Sequence, residues 1–369
     1  MVEHLDAIGF GIEYKKEDIR CEICGGTEFL PLQERGRIGR AGDYGPLMIA
    51  ICIACGYTLQ NPRYEDRFYQ DYYRQRYREV AFGATKPSAT YLREQEIRGS
   101  NILAYLTAHV SPPGAMLDHG CASGATMLSF RDAGWETFGI DPHRPSVETG
   151  VKEYGLDIRE AGGEKVPFDD DFFDLVMSLG SLEHVYDFDA AMTECRRILK
   201  DGGCLLIRWR SNVMWGSPYE YYNHNHYRFF TRNTWTLALL RYGFRVIEMT
   251  DREIEGNTGA EYIVAQKGQA GTLDAVHEAL KSGAHDIATQ RVTALKEYKR
   301  EFARRCEDFL AFTESVGGNR EAVVKGIKEE RVKYRLLWGD SAVTVPRALL
   351  EAKRFLDEFA VELAGPAAG

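Results

Sequence analysis

Four cysteines fall in two short pairs, Cys21-Glu22-Ile23-Cys24 and Cys52-Ile53-Ala54-Cys55, each followed by a glycine (Gly25, Gly56). Two such knuckles separated by 27 residues match the spacing at which four thiolates close around tetrahedral zinc, as in a zinc ribbon. A site closed by Cys21, Cys24, Cys52 and Cys55 leaves no open coordination position, so the expected role is structural; the alternative is two redox pairs or chance buried thiols. A second constellation is Asp118-His119-Gly120-Cys121-Ala122-Ser123-Gly124. Its glycines let a ligand approach the main chain, and a following helix would offer N–H groups to an anionic group such as a carboxylate. Neither Gly-x-Gly-x-x-Gly nor Gly-Lys-Ser/Thr is present, so a ligand without pyrophosphate is expected. Asp141 follows Asp118 by 23 residues and is placed to accept hydrogen bonds from ribose hydroxyls. A third set is Tyr219-Glu220-Tyr221-Tyr222-Asn223-His224-Asn225-His226-Tyr227-Arg228-Phe229-Phe230-Thr231. Its two histidines titrate near neutral pH and suit proton removal, with loop capping through ring nitrogens as the alternative.

Positioning these groups takes an alternating pattern of elements. Met116-Leu117 leads as a strand into the glycine turn, a helix closes near Arg131-Asp132-Ala133-Gly134, and Trp135 to Asp141 forms the next strand. Phe172 to Gly180 is a buried strand, a helical segment ends at Arg196-Arg197-Ile198-Leu199-Lys200, Asp201-Gly202-Gly203 turns, and Cys204 to Trp209 is another strand. The loop holding His224 and His226 follows that strand, at the edge where ligand loops gather in open parallel sheets. Tyr91 to Ala108 has helical periodicity. The tyrosine- and arginine-dense stretch from Phe68 to Arg78 is either an amphipathic linker helix or a cover over the ligand, with Tyr77 or Arg78 reaching a carboxylate.

Taken in order, the glycine motif from Asp118 to Gly124, Asp141, Val166-Pro167-Phe168 before Phe173-Asp174-Leu175-Val176, Leu182-Glu183-His184-Val185 and Arg197-Ile198-Leu199-Lys200-Asp201-Gly202-Gly203 resemble the class I S-adenosylmethionine-dependent methyltransferases. The resemblance covers roughly 110 to 265 and implies an α/β Rossmann-like domain. Ala122 stands where many members carry a third glycine. It implies S-adenosylmethionine as cofactor: the loop Gly120, Cys121, Ala122, Ser123 and Gly124, with Asp118, would meet its amino-acid portion, and Asp141 with Pro142 its ribose. Gly163 and Glu164 would lie beside the adenine, and Ser178 and Leu179 would face the amino group. With the ribbon in front, the chain is similar to sugar C-methyltransferases, in which a His-Glu-His segment supplies the base. The matching residues here are His224-Asn225-His226, so His226 is the expected base with His224 and Tyr222 assisting. Asn225 in place of the acid, Asn223 in place of a tyrosine, and a helical end in place of a second α/β domain leave O- or N-methylation of a sugar or other small metabolite equally open.

Composition bounds the rest. The 369 residues are 44% hydrophobic and 27% charged, with 46 Lys and Arg against 55 Asp and Glu. The net charge of −9 argues against a nucleic-acid partner, which needs a basic stripe. Without an apolar run of membrane-spanning length or a signal peptide, no membrane partner is expected and the location is cytoplasmic. Eight cysteines in a reduced compartment are thiolate ligands and core thiols rather than disulfides.

The expected organisation is a zinc ribbon over 1–62, linker helices over 63–109, the methyltransferase domain over 110–268, and a helical region over 269–369. In the last, Leu295, Phe302, Phe309 and Val316 recur at sevens with Tyr298 and Phe312 between, Gly317-Gly318 ends the helix, Asn319 caps another, and Thr344-Val345-Pro346 opens the last. That apolar face packs intramolecularly or makes a homodimer contact. The expected function is methyl transfer to a small molecule, with a nucleotide-activated sugar or glycan precursor as acceptor. The alternatives are a zinc-ribbon RNA- or protein-binding module with an inactive or nucleic-acid-directed methyltransferase domain, and a nicotinamide oxidoreductase, which lacks its fingerprint.

Overall fold

The computed structural model describes residues 14–37, 44–77, 79, 87–210, 222–251, 254, 260–282, 287–317, 322–323, 350, 352–357 and 359–360. Expectations for Arg78, Tyr219 to Tyr221, Gly318, Asn319 and Thr344 to Pro346 lie outside them.

Near the N-terminus, β1 (Lys16–Glu17), β2 (Phe29–Arg37), β3 (Tyr44–Cys52), β4 (Thr58–Gln60) and β5 (Arg63–Tyr64) precede α1 (Asp66–Gln75) and α2 (Ala89–Leu106). The last starts where Ser88 accepts from the Tyr91 N–H at 3.1 Å, two residues ahead of the periodicity-based expectation. There follow β6 (Ala115–His119), a short 3₁₀ turn at Ala125–Met127, α3 (Leu128–Asp132), β7 (Glu136–Asp141), α4 (Arg144–Tyr154), β8 (Asp157–Glu160), β9 (Phe173–Leu179), α5 (Phe188–Ile198) and β10 (Leu199–Arg210). The chain continues through β11 (Arg228–Phe229), α6 (Arg232–Arg241), β12 (Phe244–Thr250), β13 (Ala260–Lys267), α7 (Leu273–Ser282) and α8 (Ile287–Ser315).

Seven strands form one sheet in the order β12-β13-β10-β9-β6-β7-β8. Strands β6 to β10 pair in parallel, while β13 runs antiparallel to both β10 and β12. Near-continuous apolar runs such as Leu175-Val176-Met177 on β9 fit strands covered on both faces. On one face α2 packs through Ile102 and Leu106 with Met127 and Phe130; elsewhere Phe188, Met192 and Trp235 join the core around Val176 and Ile207. The expected turn at Asp201-Gly202-Gly203 is instead part of β10: Leu199 pairs with Phe173, and the register shifts before Cys204 resumes opposite Leu175. The chain passes from β8 across to β9 on the other side of β6, so the strand order reverses beside β6, where open α/β sheets form a crevice at their carboxyl ends.

The ribbon is not a separate bead. Its sheet has the order β11-β4-β3-β2, and β11 comes from the loop after β10, pairing Arg228 with Leu59 and Phe229 with Thr58. The loop expected to overhang the methyl donor therefore supplies a strand to the ribbon. Tyr57 also packs on Phe230 at 5.1 Å between centroids, joining both regions into one core. Glu22, inside the first cysteine pair, receives Arg228 Nε at 2.8 Å and a second contact from the same guanidinium, while Arg63 and Tyr57 approach the same carboxylate. Arg228 also donates to the carbonyls of Val185 and Tyr186. A fully buried guanidinium is tolerable because each of its nitrogens donates to an acceptor.

The heptad stripe of α8 is covered from within the chain. Phe302 and Phe309 pack with Val323, Ala352 and Phe355, the Phe302 and Phe355 rings 4.6 Å apart, and Leu295 turns to Ile49 and Phe229 of the ribbon sheet. Intramolecular packing, the first of the two expectations for that face, is what these residues make.

Candidate functional site

A cavity of about 850 Å³ opens over the carboxyl ends of β6, β7, β8 and β9. Its inner wall is Gly120 and Ala122 after β6, Asp141, Pro142 and His143 after β7, Gly163 and Glu164 after β8, and Gly180 and Ser181 after β9. Gly120 sits at φ +78°, and a Cβ there would stand 2.5 Å from the Ser181 Cβ, so the turn takes glycine for both conformation and space. Gly163 is required by contact alone: an added Cβ would lie 2.2 Å from His119 Nε2. Ala122 adopts φ +52°, the strained counterpart of the third glycine common in such turns.

The Asp141 carboxylate anchors this wall, accepting from the Ala122 N–H and the His143 N–H, each at 2.8 Å. Cys121, Ser123 and Gly124 lie outside the cavity wall, as do Ser178 and Leu179; at the end of β9 the residues that reach it are Gly180 and Ser181. Ser178 instead caps the following turn, accepting from the Leu182 N–H at 3.2 Å and meeting Ser181 Oγ at 2.7 Å.

Asp118 is only 2% exposed, and burial, with Asp141 nearby, pushes its carboxyl up to about 7. Because the unfolded acid titrates near 4, the native state retains a proton between these values that the unfolded state has lost. Stability is thus expected to fall as pH rises from about 4 to about 7, and Asp118→Asn to flatten this dependence in melting curves. An identical pH dependence in wild type and variant would contradict the burial argument.

The outer wall is one face of α1 and the residue beyond it: Asp66, Tyr69, Gln70, Tyr73, Arg74 and Tyr77 recur at helical spacing. One face of this helix therefore lines the cavity. Between the walls stands His184. Its Nδ1 lies 2.6 Å from the Asn225 carbonyl, which can only accept, so Nδ1 carries the proton and Nε2 the lone pair. Tyr73 Oη donates to the same carbonyl at 3.1 Å and lies 2.8 Å from His184 Nδ1. Burial lowers the His184 pKa below the usual imidazole value, keeping the ring neutral at pH 7.

The expected base His226 stands one ring further back, edge-on to His184 at 4.4 Å between centroids and absent from the cavity wall. His224 is buried against the Tyr72 ring, and Tyr222 lies in the cluster of Leu47, Ile49 and Phe229. Ribbon pairing explains these placements: β11 and its lead-in are drawn onto β4, which turns Tyr222 and His224 inward and leaves His184 in front.

At the far side of the ribbon sheet, the Sγ atoms of Cys21, Cys24, Cys52 and Cys55 lie within 4.8 Å of one another, all in buried residues. Tetrahedral zinc with 2.3 Å bonds spaces thiolates about 3.8 Å apart, close to the 3.5 and 3.6 Å of Cys21–Cys55 and Cys24–Cys52. Both knuckles close with left-handed glycines, Gly25 donating to Cys21 O and Gly56 to Cys52 O. The donor set fits zinc, and its four thiolates would hold the metal without an open position.

Sequence reasoning did not single out Asp66, Gln70 or Tyr73 as site residues; the tyrosine-rich spacing from 69 to 77 was the available signal.

Residues 117–207 match the family model described as a methyltransferase domain. A sterol 4-C-methyltransferase from Caenorhabditis elegans is 29% identical over 119 residues, covering 30% of this chain and 35% of that protein. An uncharacterized methyltransferase from Mycobacterium leprae (strain TN) is 31% identical over 121 residues, covering 31% and 44%. The chain spans less than half the length of these relatives. Among solved structures, a Burkholderia thailandensis 1,6-didemethyltoxoflavin-N1-methyltransferase with bound S-adenosylhomocysteine aligns with a TM-score of 0.40 and 17% identity, over 49% of this chain and 82% of that one. Residues 117–207, which carry the glycine turn and the acid after the second strand on the parallel core of the sheet, thus match a methyltransferase domain. Among the described residues, no helix is long and apolar enough to cross a membrane.

Proposed function

We propose that this chain transfers the methyl group of S-adenosylmethionine to a small polar acceptor held between the glycine turn and α1, with His184 as the base. The observation that carries this reading is the division of one cavity into two walls. The inner wall supplies what the cofactor needs: open main chain at Gly120, the Asp141 carboxylate for the ribose, and Gly163 and Glu164 for the adenine. The acids Asp141, Glu164, Asp187 and Asp66 around the rim suit a ligand carrying sulfonium and ammonium charges. Ser178 and Leu179, expected at the amino group, give way in this reading to Gly180 and Ser181.

The outer wall suits an acceptor with a flat or ring-shaped body and several hydroxyl or charged groups. Tyr69, Tyr73 and Tyr77 offer ring faces, and Asp66, Gln70 and Arg74 offer hydrogen bonds. A sugar fits this set, and Arg74 could meet a phosphate of a nucleotide sugar. When bound, the cofactor supplies an electrophilic methyl on a sulfonium leaving group. The chain's residues hold the acceptor in line, exclude water under α1, and take the acceptor's proton at His184 Nε2, while the Asn225 carbonyl stabilises the Nδ1–H side of the resulting imidazolium. Zinc at Cys21, Cys24, Cys52 and Cys55 would hold the ribbon that carries the back of this wall.

Incubating the protein with methyl-labelled S-adenosylmethionine and small-molecule pools, including nucleotide sugars, tests the reading by mass spectrometry. Label in a small polar product supports it; label confined to RNA or protein would replace it with the macromolecular alternative.

A further inference from the structure

Gln60 ends strand β4 and is 2% exposed. Its Nε2 faces three main-chain carbonyls of the loop after β10: Asn223 at 3.1 Å, His224 at 3.0 Å and His226 at 2.7 Å. Three acceptors around one end of a carboxamide fix its orientation, because only the amino end can donate. The Gln60 N–H extends the set by donating to Tyr227 O at 2.8 Å. Its Oε1 accepts from Tyr69 Oη at 3.5 Å, and Tyr69 lines the cavity. A leucine would fill this position at lower desolvation cost; a buried carboxamide is tolerable here because all its donors are spent on one short turn.

That turn contains Asn225, whose carbonyl receives both His184 Nδ1 and Tyr73 Oη. We propose that Gln60 is a positioning residue of the methyl-transfer site: by clamping the carbonyls on either side of Asn225, it aims the Asn225 carbonyl at His184 and so selects the tautomer with its lone pair on Nε2. The ribbon thus acts on the acceptor side of the cavity rather than as a separate module. The inference rests on His184 being the base, but the placement of the turn can be read without any acceptor.

The test uses the full chain labelled with ¹⁵N-histidine, with Gln60→Met as the variant, since methionine keeps the volume and β-ladder but donates nothing. In wild type, His184 is expected to show a protonated Nδ1 and a bare Nε2. In Gln60→Met these signals should move toward a mixture of tautomers, and main-chain exchange at 224–227 should rise roughly tenfold, the loss of about one buried hydrogen bond's worth of protection. Calorimetric affinity for S-adenosylhomocysteine should not change, because the Gly120 and Asp141 wall is untouched. An unaltered His184 tautomer with unaltered exchange would overturn the proposal. Should Gln60→Met fail to fold, the wild-type carboxamide protons of Gln60 decide: protection from solvent exchange supports the clamp, and free exchange overturns it. If His184 proves dispensable for methyl transfer while the clamp measurements hold, the base assignment fails and the turn geometry stands, so the two failures are separable.

Discussion

Replacing His184 with alanine is expected to slow methyl transfer by about 10²–10⁴-fold while leaving S-adenosylmethionine affinity intact, because a general base acts in the transition state. The ring sits on the cavity wall with Nδ1 committed to the Asn225 carbonyl at 2.6 Å, so its only nitrogen able to take a proton is Nε2. Burial is the largest influence on its titration and favours the neutral ring; the nearby Glu183 and the Asn225 hydrogen bond oppose it in part. The base must be neutral to work. Activity should therefore persist at neutral pH and fall only as pH drops below the ordinary imidazole range, with that limb missing in the variant. Tyr73→Phe should cost less, since it removes one donor to a carbonyl that keeps another. His226→Ala removes an edge-to-face ring contact worth about 0.5–1.5 kcal/mol, so roughly a tenfold loss is expected. If His226→Ala were the crippling variant and His184→Ala near normal, the order of the two histidines would be reversed and the base would be the one expected from sequence.

Cys52→Ser is expected to lose the metal and, with it, the acceptor side of the cavity. Metal analysis of wild type purified without added zinc should show about one equivalent per chain. In isolated zinc modules the metal contributes about 10–16 kcal/mol to folding; here the ribbon shares its core with Phe230 and Phe188, so some of its structure has other support. What zinc there would hold most directly is the approach of the two cysteine pairs and, inside the first of them, the position of Glu22. Glu22 pairs with Arg228 and Arg63, and both guanidiniums hold the Tyr186 carbonyl at the cavity rim. Loss of zinc should therefore raise protease sensitivity in β2 to β4 and lower acceptor turnover more than cofactor affinity. A stable, metal-free wild-type protein with the same melting temperature would rule out the structural zinc.

The parts legible in the sequence were those written in local spacing. Two cysteine pairs each close over a few residues and end in glycine, so their approach could be anticipated without knowing the sheet that carries them. The same is true of β6, its turn and Asp141, where parallel strands bring the first two strand ends side by side and the Ala122 N–H onto the acid. The histidine loop was placed after the correct strand, but its partner was not legible: Arg228 meets Glu22 across 206 positions and Gln60 meets Asn223 across 163. No periodicity reports such pairings, and they turn Tyr222 and His224 into core residues and bring His184 forward. The role of α1 was half visible, since its tyrosines recur at helical spacing, yet the spacing alone does not say which side faces a cavity. For α8, the heptads gave the apolar face, while its cover came from Ala352 and Phe355 some fifty residues further along the chain.

Calorimetric titration of the full chain with S-adenosylmethionine and S-adenosylhomocysteine, in wild type and in Asp141→Ala, tests the central claim most directly. One site per chain is predicted, weakened in the variant by about 1–3 kcal/mol, as the ribose hydroxyls lose their acceptor and the Ala122 and His143 N–H groups lose theirs. No binding to wild type, or equal affinity in both proteins, would contradict the assignment of this cavity to the methyl donor.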